Sequence, residues 1–239
     1  MCLLCFFLAA YSQERVTTFG IQVKPIIPIG FMDTGEQKFD VNNVDFILTP
    51  RIGMNFGMVI RKGFTKSLSL ETGINFLQRN YDLTITDVDS NFSGASSFKL
   101  VNYELPVLGL VYVRLGEMMY MNVAGGMSFD IYPSELRTGG AYFDNLLLRN
   151  EWLNISLLAN VGWEYRTRKS GYIYFGASLH RPFSNIFKEL ILYEQYDKKE
   201  NAIFNLSGNY ITVDLRYFFH EDKEKKKKKT KKKKKSIIK

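Results

Sequence analysis

RIGMNFGMVIRKGFTKSLSLETGINFL, residues 51–77, decides the fold. Its first arm sets Ile52, Met54, Phe56, Met58 and Ile60 on one face. Arg51, Gly53, Asn55, Gly57, Val59 and Arg61 take the other. After a turn through Lys62, Gly63, Phe64, Thr65 and Lys66, a second arm repeats the scheme. There Leu68, Leu70, Thr72, Ile74 and Phe76 alternate with Ser67, Ser69, Glu71, Gly73 and Asn75. A period of two means strand, because successive side chains leave a pleat on opposite sides. Each arm exceeds the usual strand length of about five or six residues. It matches instead the ~9–11 residues with which a tilted strand crosses a bilayer. The stretch predicts a transmembrane hairpin, and the rest of the chain has to supply the remaining strands of a barrel.

The same alternation recurs over residues 17–26, 99–114, 119–129, 152–166, 172–180 and 206–219. Pro25 and Pro28 are expected to end or bulge the first of these, and Pro106 to bulge the fourth strand. With the hairpin this makes about eight strands, an all-β, antiparallel up-and-down barrel. The connections alternate too. Residues 33–43, 82–97, 132–150 and 181–202 read as long polar loops, whereas residues 62–66, 115–117 and 167–170 are short turns. Outer-membrane barrels pair short periplasmic turns with long external loops and keep both termini inside. A lipocalin-like soluble barrel has no reason to keep that alternation, nor to turn a broad apolar face outward. Aromatic residues support two interfacial belts. Phe64, Trp163, Tyr165, Tyr172, Tyr217 and Phe219 lie near the short turns, and Phe98, Phe129, Tyr132, Trp152 and Phe183 near the long connections.

The 239 residues are 46% hydrophobic and 15% aromatic, yet the mean hydropathy is only −0.14. A helical membrane bundle is thereby excluded, while a barrel with a polar lumen fits. Residues 1–12, MCLLCFFLAAYS, read as the apolar core of a secretory signal cut before Gln13; the other reading is a buried first strand. Cys2 and Cys5 would leave with the signal, so neither a disulfide nor a thiolate metal site is expected, and no lipid anchor. The barrel domain spans residues 13–220. Residues 221–239 carry twelve Lys against three acids, more than the whole net charge of +8, so the remainder is close to neutral. This tail is expected to be disordered and to meet anionic lipid or cell wall at most. A barrel in the outer membrane contradicts a nucleic-acid partner, and outer-membrane lipid is the expected one.

Inward faces hold Lys24, Arg51, Arg61, Glu71, Glu104, Glu164, Arg166, Asp214 and Arg216. In an eight-strand lumen, just wide enough to be filled by side chains, these are expected to pair with one another, with inward glycines making room. The alternative is a narrow ion or proton path along Glu71, Glu104 and Arg216. Ser178 and His180 share a strand face, but Ser precedes His and Pro182 interrupts, so no catalytic residue is expected. No metal ligands and no cofactor are expected either.

The tract YELPVLGLVY, residues 103–112, resembles a strand common in the outer-membrane β-barrels of Bacteroidetes-type bacteria, the PorT-like group. Alternating glycines and a last strand ending in Leu215, Arg216, Tyr217, Phe218 and Phe219 add to the resemblance. The resemblance covers most of the mature chain, and only the Lys-rich tail departs from it. It implies an outer-membrane location and folding by the barrel-assembly machinery, which reads the last strand. Members include components of secretion and gliding assemblies. The expectation is therefore a non-enzymatic structural or accessory subunit of an envelope assembly, with a protein partner there. A small channel or transporter is the alternative.

Overall fold

A computed structural model describes residues 17–28, 30, 34–65, 67–167 and 170–219. The expected signal segment and the Lys-rich tail lie outside the described residues. Within them the chain forms thirteen strands and no helix: β1 (Thr17–Ile27), β2 (Gln37–Val41), β3 (Val44–Gly63), β4 (Leu68–Asp87), β5 (Phe92–Arg114), β6 (Met119–Ile131), β7 (Leu136–Gly139), β8 (Phe143–Arg149), β9 (Leu153–Arg166), β10 (Tyr172–Pro182), β11 (Phe187–Gln195), β12 (Lys198–Leu206) and β13 (Tyr210–Phe218). Strands β1, β13, β10, β9, β6, β5, β4 and β3 follow one another antiparallel, and β1 pairs with both β13 and β3. That closes an eight-strand wall. Its outer surface is apolar: Phe19, Ile52, Met58, Val111, Val123, Phe175 and Leu215 are all exposed. Such a surface is stable against hydrocarbon, not water.

The four long connections are not loops. Residues 82–97 continue β4 and begin β5, and the other three contribute β2, β7–β8 and β11–β12. Strands β12, β11, β8 and β7 form a second sheet. Its edge strand β12 approaches β2, and its other edge β7 approaches β5. Together with the far halves of β3, β4 and β5 they make a cap over one end of the wall. Val44, Phe46, Leu48, Leu83, Ile85, Phe98, Leu100, Phe143, Phe187, Ile191 and Phe204 fill its interior. Strand β4 shows how one strand serves both storeys. Its odd residues face inward throughout, from Ser69, Glu71 and Asn75 in the wall to Leu83 and Ile85 in the cap. The parity holds while the polarity inverts at Leu77–Arg79, which marks where the apolar exterior gives way to a polar one. Phe98 and Tyr132 therefore turn into the cap rather than joining an aromatic belt, and Tyr172 packs inward against the cluster of Val59, Tyr174 and Phe218.

Two register features differ from the sequence reading. Proline leaves a gap, not a bulge: β4 and β5 pair at Thr72↔Val107 and again at Asn75↔Glu104 in one register, so Pro106 removes ladder bonds without inserting a residue. Pro25 likewise sits within β1 without a slip. The bulge lies instead between Arg51 and Met54 of β3. One extra residue there flips the parity of everything beyond it. Asn55, Val59 and Arg61 face inward below the bulge, and Val44, Phe46 and Leu48 above it. The last predicted strand, residues 206–219, is broken at Gly208, whose φ of +74° and contact with Ile186 suit glycine alone. The break separates β12 of the cap from β13 of the wall.

Candidate functional site

The lumen is the site the sequence singled out, and it is filled. From the short-turn end, ion pairs run as one chain of alternating sign across five strands. Arg166 Nε donates to Glu164 Oε1 at 2.5 Å, and Arg61 Nη1 to Glu164 Oε2 at 2.5 Å. Arg61 also reaches Glu71 Oε2 at 2.9 Å, whose other oxygen accepts from Arg216 Nη1 at 2.6 Å. Arg216 Nη2 continues to Asp214 Oδ2 at 2.6 Å, with Lys24 Nζ 3.8 Å from the same oxygen. Seven of the nine predicted charges make up this chain, brought together from β9, β3, β4, β13 and β1. The guanidinium of Arg61 lies 4.0 Å above the Phe218 ring, and that of Arg166 lies 4.2 Å from the Tyr120 ring. Glycine makes the room the sequence reading expected. Gly162 and Gly176 are cross-strand partners, and the Tyr174 ring lies where their Cβ atoms would be. Its hydroxyl donates to Asn160 Oδ1 at 2.8 Å.

Glu104 stands one level higher and belongs to a different group. Asn75 Nδ2 and Tyr210 Oη donate to it, each at 2.6 Å, and His180 Nε2 lies 3.7 Å away. His180 Nε2 also lies 2.9 Å from Asp130 Oδ2 and 3.3 Å from Ser128 Oγ, and its ring stacks on Tyr210 at 4.2 Å between centroids. Ser156 donates to Asp130. Arg51, the ninth predicted member, is not in the lumen. The bulge turns it outward to Asp82, at 2.6 Å, with its side chain 61% exposed.

Sequence reasoning missed Asp130, His180 and Arg79 as lumen residues. Asp130 continues the inward parity of its strand one step past the predicted end, and His180 closes the predicted strand 172–180 on the face of Ser178, where it was weighed for catalysis and not as a lumen residue. Like Asp130, Arg79 continues the parity of its strand, on β4 just before the residues read as a loop. Glu104, Asp130 and His180 offer ligand-type atoms within 4.8 Å of one another, a convergence no sequence spacing announces. Each already serves in the hydrogen bonds above. Ser178 and His180, weighed together in the sequence, take different partners. Ser178 Oγ donates to Asp214 Oδ2 at 2.6 Å. A hydrolytic triad needs its serine and its acid on opposite ring nitrogens. Here Ser128 and Asp130 crowd the same one, and His180 Nδ1 has no partner among the described residues.

Two acids of the cap differ in kind. Burial works against the charge of Asp87, yet Lys198, Ser90 and Tyr193 donate to it and hold its pKa at about 2. Burial dominates at Glu189 and pushes it up to about 7, against a single hydrogen bond from Asn145 Nδ2 at 2.8 Å.

No curated protein is similar to the chain in sequence. The structure resembles the crystal structure of the outer membrane protein OprG from Pseudomonas aeruginosa. The TM-score is 0.54 at 12% identity, over 87% of this chain and 98% of that one, a likeness of fold alone. The family model for the outer membrane protein beta-barrel domain matches residues 17–188, which run from the first strand of the wall into the second sheet of the cap. With that match, a closed wall, an apolar exterior and a charged interior, the chain belongs to the outer membrane protein beta-barrel family and is a protein of the bacterial outer membrane.

Proposed function

We propose that this protein is a non-conducting barrel that holds its β-cap outside the cell, as a structural or accessory subunit of an envelope assembly. One observation carries the reading. The ion-pair chain from Arg166 to Lys24 is continuous, and every acid in it is buried by its partners. To pass an ion, the lumen would have to break pairs whose members lack water to replace one another, at roughly 3–5 kcal/mol for each partner removed. The apolar core of the cap then stands over the same axis.

Short turns at one end and an elaborated other end support an orientation with the turns and both termini in the periplasm. The role is read as non-enzymatic, with Ser128 and Asp130 sharing His180 Nε2 in a structural hydrogen-bond group. Residues 103–112 and the aromatic end of β13 support placement in the PorT-like group and insertion by the barrel-assembly machinery. The partners that follow are outer-membrane lipid around the wall and an envelope protein against the cap, and not a nucleic acid.

Purified protein in planar bilayers is expected to give no stable conductance. Discrete, reproducible steps would overturn the reading in favour of a small channel. Crosslinking in native outer membrane, followed by pull-down, is expected to recover a stoichiometric envelope protein.

A further inference from the structure

Among the buried cations Lys24, Arg61, Arg79 and Arg216, three have a carboxylate within 4 Å. Arg79 has none among the described residues. Its side chain is buried, and among the described residues its direct partners are neutral: Gly208 O at 3.2 Å, Asn102 Oδ1 at 3.3 Å, Tyr132 Oη at 3.2 Å and the Tyr81 hydroxyl, with Asp130 acting on it only at longer range. Its Nε, buried as well, has no hydrogen-bond partner among the described residues. A buried charge without a directly bonded counter-charge is costly, and native proteins rarely keep one.

Arg79 also lines a cleft, which explains where a counter-charge could come from. Pairing of β1 with β3 ends at Ile26↔Gly53, and with β13 at Ile27↔Ile211. Beyond that point β3 pairs with β2 instead, so among the described residues the wall has a seam above β1. The cleft fills this seam. Its walls include Ile26, Ile27, Pro28, Leu48 and Leu206, with Tyr210 beside Arg79. It lies at the level where the exterior changes from apolar to polar, and Ile27 is exposed on the apolar side. The free volume is about 40 Å³, several times the roughly 10–15 Å³ needed to hold one water. That admits a carboxylate.

We propose that the seam above β1 binds a long-chain aliphatic carboxylate, a fatty acid. The carboxylate meets the free Nε of Arg79, and the first carbons of the tail lie along Ile26, Ile27 and Pro28 toward the surrounding lipid. The inference is independent of the accessory role proposed above. It would hold for a conducting barrel as well.

The test uses the full chain in phosphatidylcholine nanodiscs at pH 8, titrated with dodecanoate labelled with ¹³C at the carboxyl. A saturable component above that of empty nanodiscs is expected, with about one site per barrel. Arg79→Met is expected to weaken it at least tenfold while unfolding in urea at the same concentration as the wild type or a higher one. Ile27→Trp, which narrows the mouth and leaves Arg79 in place, is expected to weaken it as well. Acetate and dodecanol, each lacking half of the ligand, are expected to show no saturable binding. The proposal fails if wild type shows no saturable dodecanoate component, or if Arg79→Met binds as wild type does. Acetate binding as tight as dodecanoate would also overturn it, by leaving a small-anion site only. Should Arg79→Met not fold, undiminished binding by Ile27→Trp overturns it alone.

Discussion

Glu71 is the centre of the lumen because both of its oxygens are committed, one to Arg61 and one to Arg216. Glu71→Ala leaves two buried guanidinium groups short of a counter-charge at once. It is expected to destabilise the barrel by roughly 3–5 kcal/mol, read as a lower urea midpoint for loss of the compact form on unheated gels. Glu189 predicts a different signature. Its folded pKa stands at about 7 against an ordinary 4.5. Below pH 4.5 the acid is neutral in both states and stability is fully present. As pH rises toward 7 the unfolded chain ionises first and stability falls, levelling off above 7. The loss is on the order of 3 kcal/mol. Glu189→Gln mimics the neutral acid and is expected to flatten this profile, raising cap stability at pH 8. Thermal unfolding followed at pH 4, 6 and 8 in both forms checks the sign.

At the scale of the element, the bulge between Arg51 and Met54 decides which way β3 faces in each storey. The alternation from Ile52 to Ile60 was legible because the outward residues there meet an apolar medium and the inward ones are polar or small. Extending the same parity to Arg51 failed, since a one-residue insertion leaves no mark in a pattern of period two until its far side is also read. Deleting Ile52 is expected to close the bulge, setting Arg51, Gly53 and Met54 opposite Asn80, Arg79 and Gln78 in one register, with Phe46 and Leu48 still inward. Limited proteolysis in intact membranes should then leave the cap as protected as in the wild type, and the wall should keep its heat-modifiable migration; a cap that is cut would show that the bulge itself is required. The tracts read as loops failed for a related reason. Residues 82–86 do alternate, Asp82, Thr84 and Thr86 against Leu83 and Ile85, but with polar residues outward. Under the rule that held for the wall, polar outward looks like loop.

The whole molecule is two β structures with opposite polarity stacked on shared strands. The wall is apolar outside and charged inside; the cap is polar outside and apolar inside. Each should therefore respond differently to excision. Replacing residues 133–151 and 184–209 by short turns is expected to leave a wall that inserts and stays shut, because the ion-pair chain belongs to the wall alone. Planar-bilayer recording of the capless form tests this, and open channels there would make the cap the seal. Side-chain alternation, strand length and the rhythm of turns were enough to determine the antiparallel barrel, its eight wall strands and seven residues of its charge chain. Those depend on local periodicity and on the medium each face meets, both written into neighbouring residues. Only the tertiary structure decided that the long connections fold into a cap, that Arg51 leaves the lumen, and that Arg79, Asp130 and His180 enter it. These outcomes rest on register across strands and on contacts between distant segments, 158 residues apart for Asn42 and Glu200 and 198 for Gly20 and Phe218, and no single stretch of sequence carries that information.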